Sequence, residues 1–138
     1  MRILLDTCAT IDLTTDPSSL SGGAWDIIND PTNQLFISAE TARELVVHFN
    51  NKRLLSKYWK TAENMLICIM RDYGIEVLPV TKDVALTYSR LRLNVIQDHK
   101  DPSDHMIIAH AITEHMPLLS SDTKFSFYRS QGLDLIEY

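Results

Sequence analysis

An alternation in the sequence limits what this 138-residue chain can fold into. Short apolar runs, each too brief for a helix, are separated by longer stretches with helical spacing. Arg2-Ile3-Leu4-Leu5, Leu35-Phe36-Ile37, Glu76-Val77-Leu78-Pro79-Val80, Leu118-Leu119-Ser120-Ser121 and Leu133-Asp134-Leu135-Ile136 read as five strands. Between them the spacing predicts helices from about Cys8 to Leu13, Ala24 to Asn29, Thr41 to Asn50, Leu54 to Tyr73, Lys82 to Leu91 and Ser103 to Glu114. In the third of these, Leu45, Val46 and Phe49 form the apolar face. Asp16-Pro17-Ser18-Ser19 and Asp30-Pro31-Thr32-Asn33 read as turns, and Gly74 closes the long helix as a C-cap. Strands that are apolar throughout, each reached through a helix, pair in parallel and are covered on both faces. The expected architecture is α/β: a three-layer α/β/α domain over residues 1–138, with a central parallel sheet of about five strands.

That architecture says where to look for chemistry, because ligands of open α/β sheets bind beyond the carboxyl ends of the strands. Asp6 follows the first strand and Asp122 the fourth. Glu44 lies one turn into the helix after the second strand. Asp104 lies in the first turn of the helix inside Asp98–Ile112, where Asp101 is a good N-cap and Pro102 fits the first helical position. Each acid also has a purely structural reading. Asp6 caps the turn after its strand, Glu44 completes a capping box with Thr41 (Thr-Ala-Arg-Glu), and Asp122 starts a turn leading to Lys124 and Phe125. Asp104 sits over the positive end of a helix dipole. No single acid decides between the readings, but a cluster would. Two carboxylates about 4 Å apart repel by roughly 4 kcal/mol at an effective dielectric near 20, so four in one cleft require protons or cations. Oxygen ligands suit a hard cation, Mg²⁺ or Mn²⁺, and such a site activates a water and steadies charge on a phosphodiester.

Composition removes several alternatives. A net charge of −5 argues against binding nucleic acid through bulk positive potential, although bound cations reverse the field locally. Lys52, Arg53, Lys57 and Lys60 form a basic run that reads either as a path for phosphates or as a solvated helix face. Cys8 and Cys68 offer no CxxC, hence no zinc knuckle and no redox pair. His48, His99, His105, His110 and His115 contain no pair at i,i+4 and no HExxH, and read as surface or satisfied side chains rather than zinc ligands. Ile3-Leu4-Leu5 is too short for a signal peptide and no apolar run approaches a membrane span, so the default location is cytoplasmic, with no membrane partner.

Five motifs, in order, carry a family resemblance. They are Ile3-Leu4-Leu5-Asp6-Thr7; Phe36-Ile37-Ser38 with Thr41 and Glu44; Val77-Leu78-Pro79-Val80-Thr81; Lys100-Asp101-Pro102-Ser103-Asp104-His105 leading into a buried helix; and Leu118-Leu119-Ser120-Ser121-Asp122 with Phe125 and Tyr128. Together they resemble the PIN-domain ribonucleases of the VapC type, toxins of type II toxin–antitoxin pairs. The resemblance implies a PIN-like fold and a catalytic metal site formed by Asp6, Glu44, Asp104 and Asp122. Asp101 is then a cap or outer acid, with Thr7, Ser38, Thr41 and Ser120 in supporting positions. It further implies Mg²⁺, with Mn²⁺ able to substitute, cleavage of RNA, a homodimer and a cognate antitoxin. Three positions depart from the family pattern: His105 stands where Arg is usual, His110 where Gln often falls, and His48 where relatives carry Lys. These positions touch RNA or brace the acids, and His48, Lys52, Arg53 and His105 are the candidate RNA contacts. On the long helix, Leu55, Tyr58, Trp59, Met65, Leu66, Ile69 and Met70 read mostly as core, part of them forming a groove for an antitoxin helix. Two other readings stand beside this one. The first is a housekeeping PIN nuclease in RNA maturation or decay, with the same fold and site. The second is a receiver-type signalling domain, which would want an acidic pair after the first strand, an Asp after the third and a Lys after the fifth; the chain offers Asp6 alone and Pro79-Val80-Thr81.

Overall fold

The structure, a computed structural model, describes residues 1–54, 56–93 and 99–138; Leu55 and Asp98 lie outside the described residues. The five apolar runs form strands β1 (Arg2–Leu5), β2 (Gln34–Ser38), β3 (Ile75–Leu78), β4 (Leu118–Ser120) and β5 (Leu135–Glu137). The helices are α1 (Thr7–Thr15), α2 (Gly22–Asn29), α3 (Ala39–Asn50), α4 (Ala62–Tyr73), α5 (Lys82–Arg90) and α6 (Pro102–Glu114), with 3₁₀ segments at Pro17–Ser19 and Thr123–Gln131.

All four strand pairings are parallel and the order is β3-β2-β1-β4-β5. The chain runs outward from β1 to β3, then returns to the other side of β1, so the order reverses between β1 and β4. A crevice opens at such a reversal, outside the carboxyl ends of the strands. The receiver-type sheet has the order 2-1-3-4-5, and the observed order rules that alternative out.

Side chains alternate across the sheet, as the pleat requires. Ile3, Leu5, Leu35, Ile37 and Leu119 point to one face and pack with Ala9, Leu13, Ala24, Leu45, Met65 and Ile69 from α1 to α4. Leu4, Phe36, Leu118 and Leu135 point to the other and pack with Ile107, Ile108 and Ala111 of α6 and with Phe125 and Tyr128. Helix α5 lies against the outside of α6. No described helix is long and apolar enough to cross a membrane.

Several expected boundaries move, each for a local reason. Helix α4 starts at Ala62 rather than Leu54. Lys52 takes a positive φ of 58°, which breaks the helical path after α3, and Thr61 is the N-cap, its Oγ1 accepting from Asn64 N at 3.0 Å. Tyr58 and Trp59 therefore lie in the preceding turn and not on a helix. Gly74 ends α4 in the left-handed region, as expected. Helix α3 starts before Thr41, because Ser38 is its cap, accepting from Glu40 N at 3.1 Å; the Thr41–Glu44 capping box is not formed. Strand β3 stops at Leu78 because β2, its neighbour, ends at Ser38 to cap α3. Strand β5 begins after Leu133, since the Gly132 and Leu133 amides close the preceding 3₁₀ segment onto Arg129 O and Tyr128 O.

Candidate metal centre

The floor of the crevice is built where β1 and β4 end side by side. Asp6 N donates to Leu119 O at 3.2 Å, which carries the strand register into the site. Asp6 is 3% exposed and caps α1: its Oδ1 accepts from Ala9 N at 2.7 Å and its Oδ2 from Ser120 Oγ at 2.5 Å. Ser120 Oγ in turn accepts from Asp122 N at 3.0 Å, so one hydroxyl ties two acids together. Asp122 caps the second 3₁₀ segment, accepting from Lys124 N at 2.9 Å.

The α3 wall presents Glu44, whose Oε1 accepts from Thr7 Oγ1 at 2.5 Å; Thr7 Oγ1 is also 3.3 Å from buried Thr41 Oγ1. The α6 wall begins at Asp101, exposed and acting as the N-cap, with Oδ1 accepting from Ser103 N at 2.9 Å and Asp104 N at 3.3 Å. Asp104, one turn in, points into the same space. Asp6, Glu44, Asp104 and Asp122 thus line one cleft of about 780 Å³, together with Cys8, His48 and His99. Arg43, Arg53, Lys100 and Lys124 line it too, but Lys52 does not.

The electrostatics follow from this crowding. Burial pushes the Asp6 carboxyl up to about 7; Asp104 and Asp122 push the same way, against the Ser120 and Ala9 hydrogen bonds. Asp104 is also raised to about 7, by burial first and then by Asp101, Glu44 and Asp122, with Lys124 opposing. The Cys8 thiol reads the same negative field: burial and its acidic neighbours push it up to about 12. Such a site disfavours its own negative charge unless a cation is present. Its donors fit one, because carboxyl groups from four segments line one cleft and a carboxylate oxygen of Asp104 lies within 4.8 Å of one of Asp122, with a ring nitrogen of His99 beside them.

The other expected site residues fall in varied places. Ser38 Oγ caps α3 and contacts His110 Nδ1 at 2.8 Å, which puts it behind the wall. His48 and Arg53 line the cleft. His105 is 3% exposed, its ring packed 4.8 Å from that of His99 and 5.9 Å from that of Tyr128, a position from which it braces the wall and does not face a substrate. Of the histidines read as surface or satisfied side chains, His99, His105 and His110 are buried; His99 has partners on both ring nitrogens, whereas His105 and His110 each keep an Nε2 without one among the described residues. The basic run is not a helix face either, since Lys52, Arg53, Lys57 and Lys60 lie in the non-helical connection between α3 and α4. His99 is the side chain at the site that sequence reasoning missed. It precedes α6, where no helical periodicity links it to Asp104, and only the family motif around Asp101 hinted at its neighbourhood.

Comparison with known proteins bears on this geometry. Among solved structures the chain is similar to VapBC2 from Rickettsia felis bound to a DNA fragment from their promoter, with TM-score 0.72 and 22% identity over 99% of this chain and 98% of that one. It is also similar to VapBC-1 from nontypeable Haemophilus influenzae (0.64, 19%, over 99% and 98%) and to VapBC-5 from Mycobacterium tuberculosis, a member of a family of toxin–antitoxin systems (0.64, 18%, over 99% and 98%). At these identities the likeness is one of fold. No curated protein matches the chain in sequence. The PIN-domain family model matches residues 3–130, from the first strand to the end of the last 3₁₀ segment, and the chain belongs to the PIN-domain family.

Proposed function

We propose that this protein is a divalent-cation-dependent endoribonuclease and the toxin of a type II toxin–antitoxin pair, with Asp6, Glu44, Asp104 and Asp122 as its catalytic and metal-holding residues. The observation that carries the reading is the convergence of four carboxyls in one cleft at the sheet's switch point, two of them pushed up to about 7. A bound Mg²⁺ or Mn²⁺ supplies the positive charge that activates a water and stabilises a phosphodiester during cleavage. The chain's own groups do the positioning. Ser120 and the Ala9 amide fix Asp6, Thr7 fixes Glu44, and the Asp101 cap sets the start of α6. Arg53, Lys100, Lys124 and His48 stand at the cleft where flanking phosphates of a single RNA strand would pass.

The toxin reading draws support from the fold shared with structures of VapBC toxin–antitoxin systems. It brings a homodimer and an antitoxin partner. The apolar side chains available to that partner are Ile67, Met70 and Tyr73 on α4 and Tyr58 in the turn before it, all exposed. Trp59 instead packs against the core. Co-purification of antitoxin with a Tyr58→Lys, Met70→Glu variant as readily as with wild type would remove this surface from the reading.

Incubation with total RNA tests the activity. Discrete fragments are expected with Mn²⁺ or Mg²⁺ and none with EDTA, or with Asp6→Asn or Asp104→Asn. Fragments that persist in EDTA would overturn the reading. Growth arrest on induction distinguishes a toxin from a housekeeping nuclease with the same site.

A further inference from the structure

His99 lies just before α6, 2% exposed, inside a sleeve of rings: its centroid is 4.8 Å from His105, 5.5 Å from Tyr128 and 5.8 Å from Phe125. The packing fixes the plane of the imidazole and leaves its two nitrogens facing different partners. Nδ1 is 3.0 Å from Tyr128 Oη, and Nε2 is 3.2 Å from Asp104 Oδ2.

The tautomer follows from the phenol. Tyr128 is fully buried, and a buried hydroxyl proton without an acceptor is costly. Among the described residues, the hydrogen-bond partner of Tyr128 Oη is His99 Nδ1. Tyr128 therefore donates to Nδ1, that nitrogen carries no proton, and the neutral ring has its proton on Nε2. Nε2–H then donates to Asp104 Oδ2.

We propose that His99 is a positioning residue for the metal centre: its Nε2–H holds Asp104 Oδ2, Tyr128 fixes the tautomer, and Asp104 Oδ1 is left available to a cation. This rests on the reading of the cleft as a metal centre. Asp104 shares the cleft with Asp101, Glu44 and Asp122, whose charges repel its own, so a hydrogen bond from outside that group of acids fixes its orientation. Partners of this kind, one step removed from an ion, set the orientation of the ligating group.

Nitrogen NMR of histidine-labelled wild type tests the tautomer directly, without metal and with saturating Mg²⁺. The expected result is His99 protonated at Nε2 and bare at Nδ1 in both states. A ring that carries its proton on Nδ1, or loses the Nε2 proton when Mg²⁺ is added, would overturn the proposal, since Nε2 would then be a ligand. Calorimetric titration with Mn²⁺ tests the consequence. His99→Ala is expected to weaken binding by about 10–100-fold, and His99→Gln, whose amide N–H reaches the place of Nε2, to recover most of that loss. His99→Ala binding Mn²⁺ as tightly as wild type would also overturn the proposal. Wild type that binds no Mn²⁺ would sink the metal centre itself. The labelled-histidine measurement needs no variant, so a misfolded substitution leaves the test intact.

Discussion

On the face of the sheet covered by α1 to α4, the buried side chains of the apolar cluster are Ile, Leu, Ala and Met, with Phe49, Trp59 and Tyr138 packed at its margin. The helix covering the other face, α6, also buries His105 and His110, and His99 packs beside Phe125 and Tyr128 in front of it. The difference is one of purpose. The first face keeps an apolar interior and meets the cleft only at its rim, through Asp6 and Thr7 at the start of α1 and Thr41 and Glu44 on α3. The second also backs the cleft: its helix starts with Asp101 and Asp104, and its polar groups run from the acids inward through His99 to Tyr128 and, further along, from Ser38 to His110. That arrangement lowers stability, since His105 and His110 each have an Nε2 with no partner among the described residues. An unmet buried polar atom costs about 1–3 kcal/mol.

Substitutions can break or sharpen this contrast. The largest effect belongs to the acids: Asp104→Asn should lower RNA cleavage on the order of 10³-fold, several kcal/mol of transition-state stabilisation, in a steady-state assay with Mn²⁺. Core truncation comes next. Ile69→Ala on the first face should cost about 2–5 kcal/mol in urea unfolding, whereas His110→Met on the second should change stability by less than about 1 kcal/mol, because it removes an unpaired nitrogen and Ser38 still caps α3. Equal losses at the two positions would erase the contrast.

A third effect is pH-dependent. Asp6 is ionised above about 4 in the unfolded chain but only above about 7 in the folded, metal-free protein. Folding therefore takes up a proton between those values. The contribution of this group to stability is greatest below pH 4, falls as pH rises through 7, and then levels off. Asp6→Asn should accordingly stabilise the metal-free protein at pH 8, by up to about 4 kcal/mol, with the gain vanishing near pH 4. Parallel melts of variant and wild type, both in EDTA, measure it; a constant gain across pH would contradict the assigned cause. The smallest effect concerns the cleft rim. Arg53→Ala should flatten the salt dependence of RNA binding by about 0.7 in log–log slope, and Lys52→Ala, outside the cleft, should leave it unchanged.

Much of this was legible in the sequence, and the exceptions have physical causes. The inner strands were readable because both their faces are buried, which leaves Ile3-Leu4-Leu5, Leu35-Phe36-Ile37 and Leu118-Leu119 unbroken apolar runs, whereas the edge strands carry Glu76 and Glu137. The acids were readable because a parallel α/β sheet gathers its strand ends at one edge, and Asp101-Pro102 marks a helix start by itself. The start of α3 was not readable: Ser38 and Thr41 are both good caps three residues apart, and only the end of β2 chooses between them. Nor was the turn before α4, where the helical spacing of Leu54, Tyr58 and Trp59 is overridden by the backbone at Lys52 and the cap at Thr61. The role of His99 depends on Tyr128, 29 residues away, a contact that no local pattern encodes.

An anomalous-difference map from a crystal soaked in Mn²⁺ puts the assembled acids to the test. The ion is expected in the cleft between β1 and α6, within coordination distance of carboxylate oxygens from Asp6, Glu44, Asp104 and Asp122. A map with no peak there, or with Mn²⁺ held at some other place on the molecule, would contradict the proposed metal centre and the nuclease reading built on it.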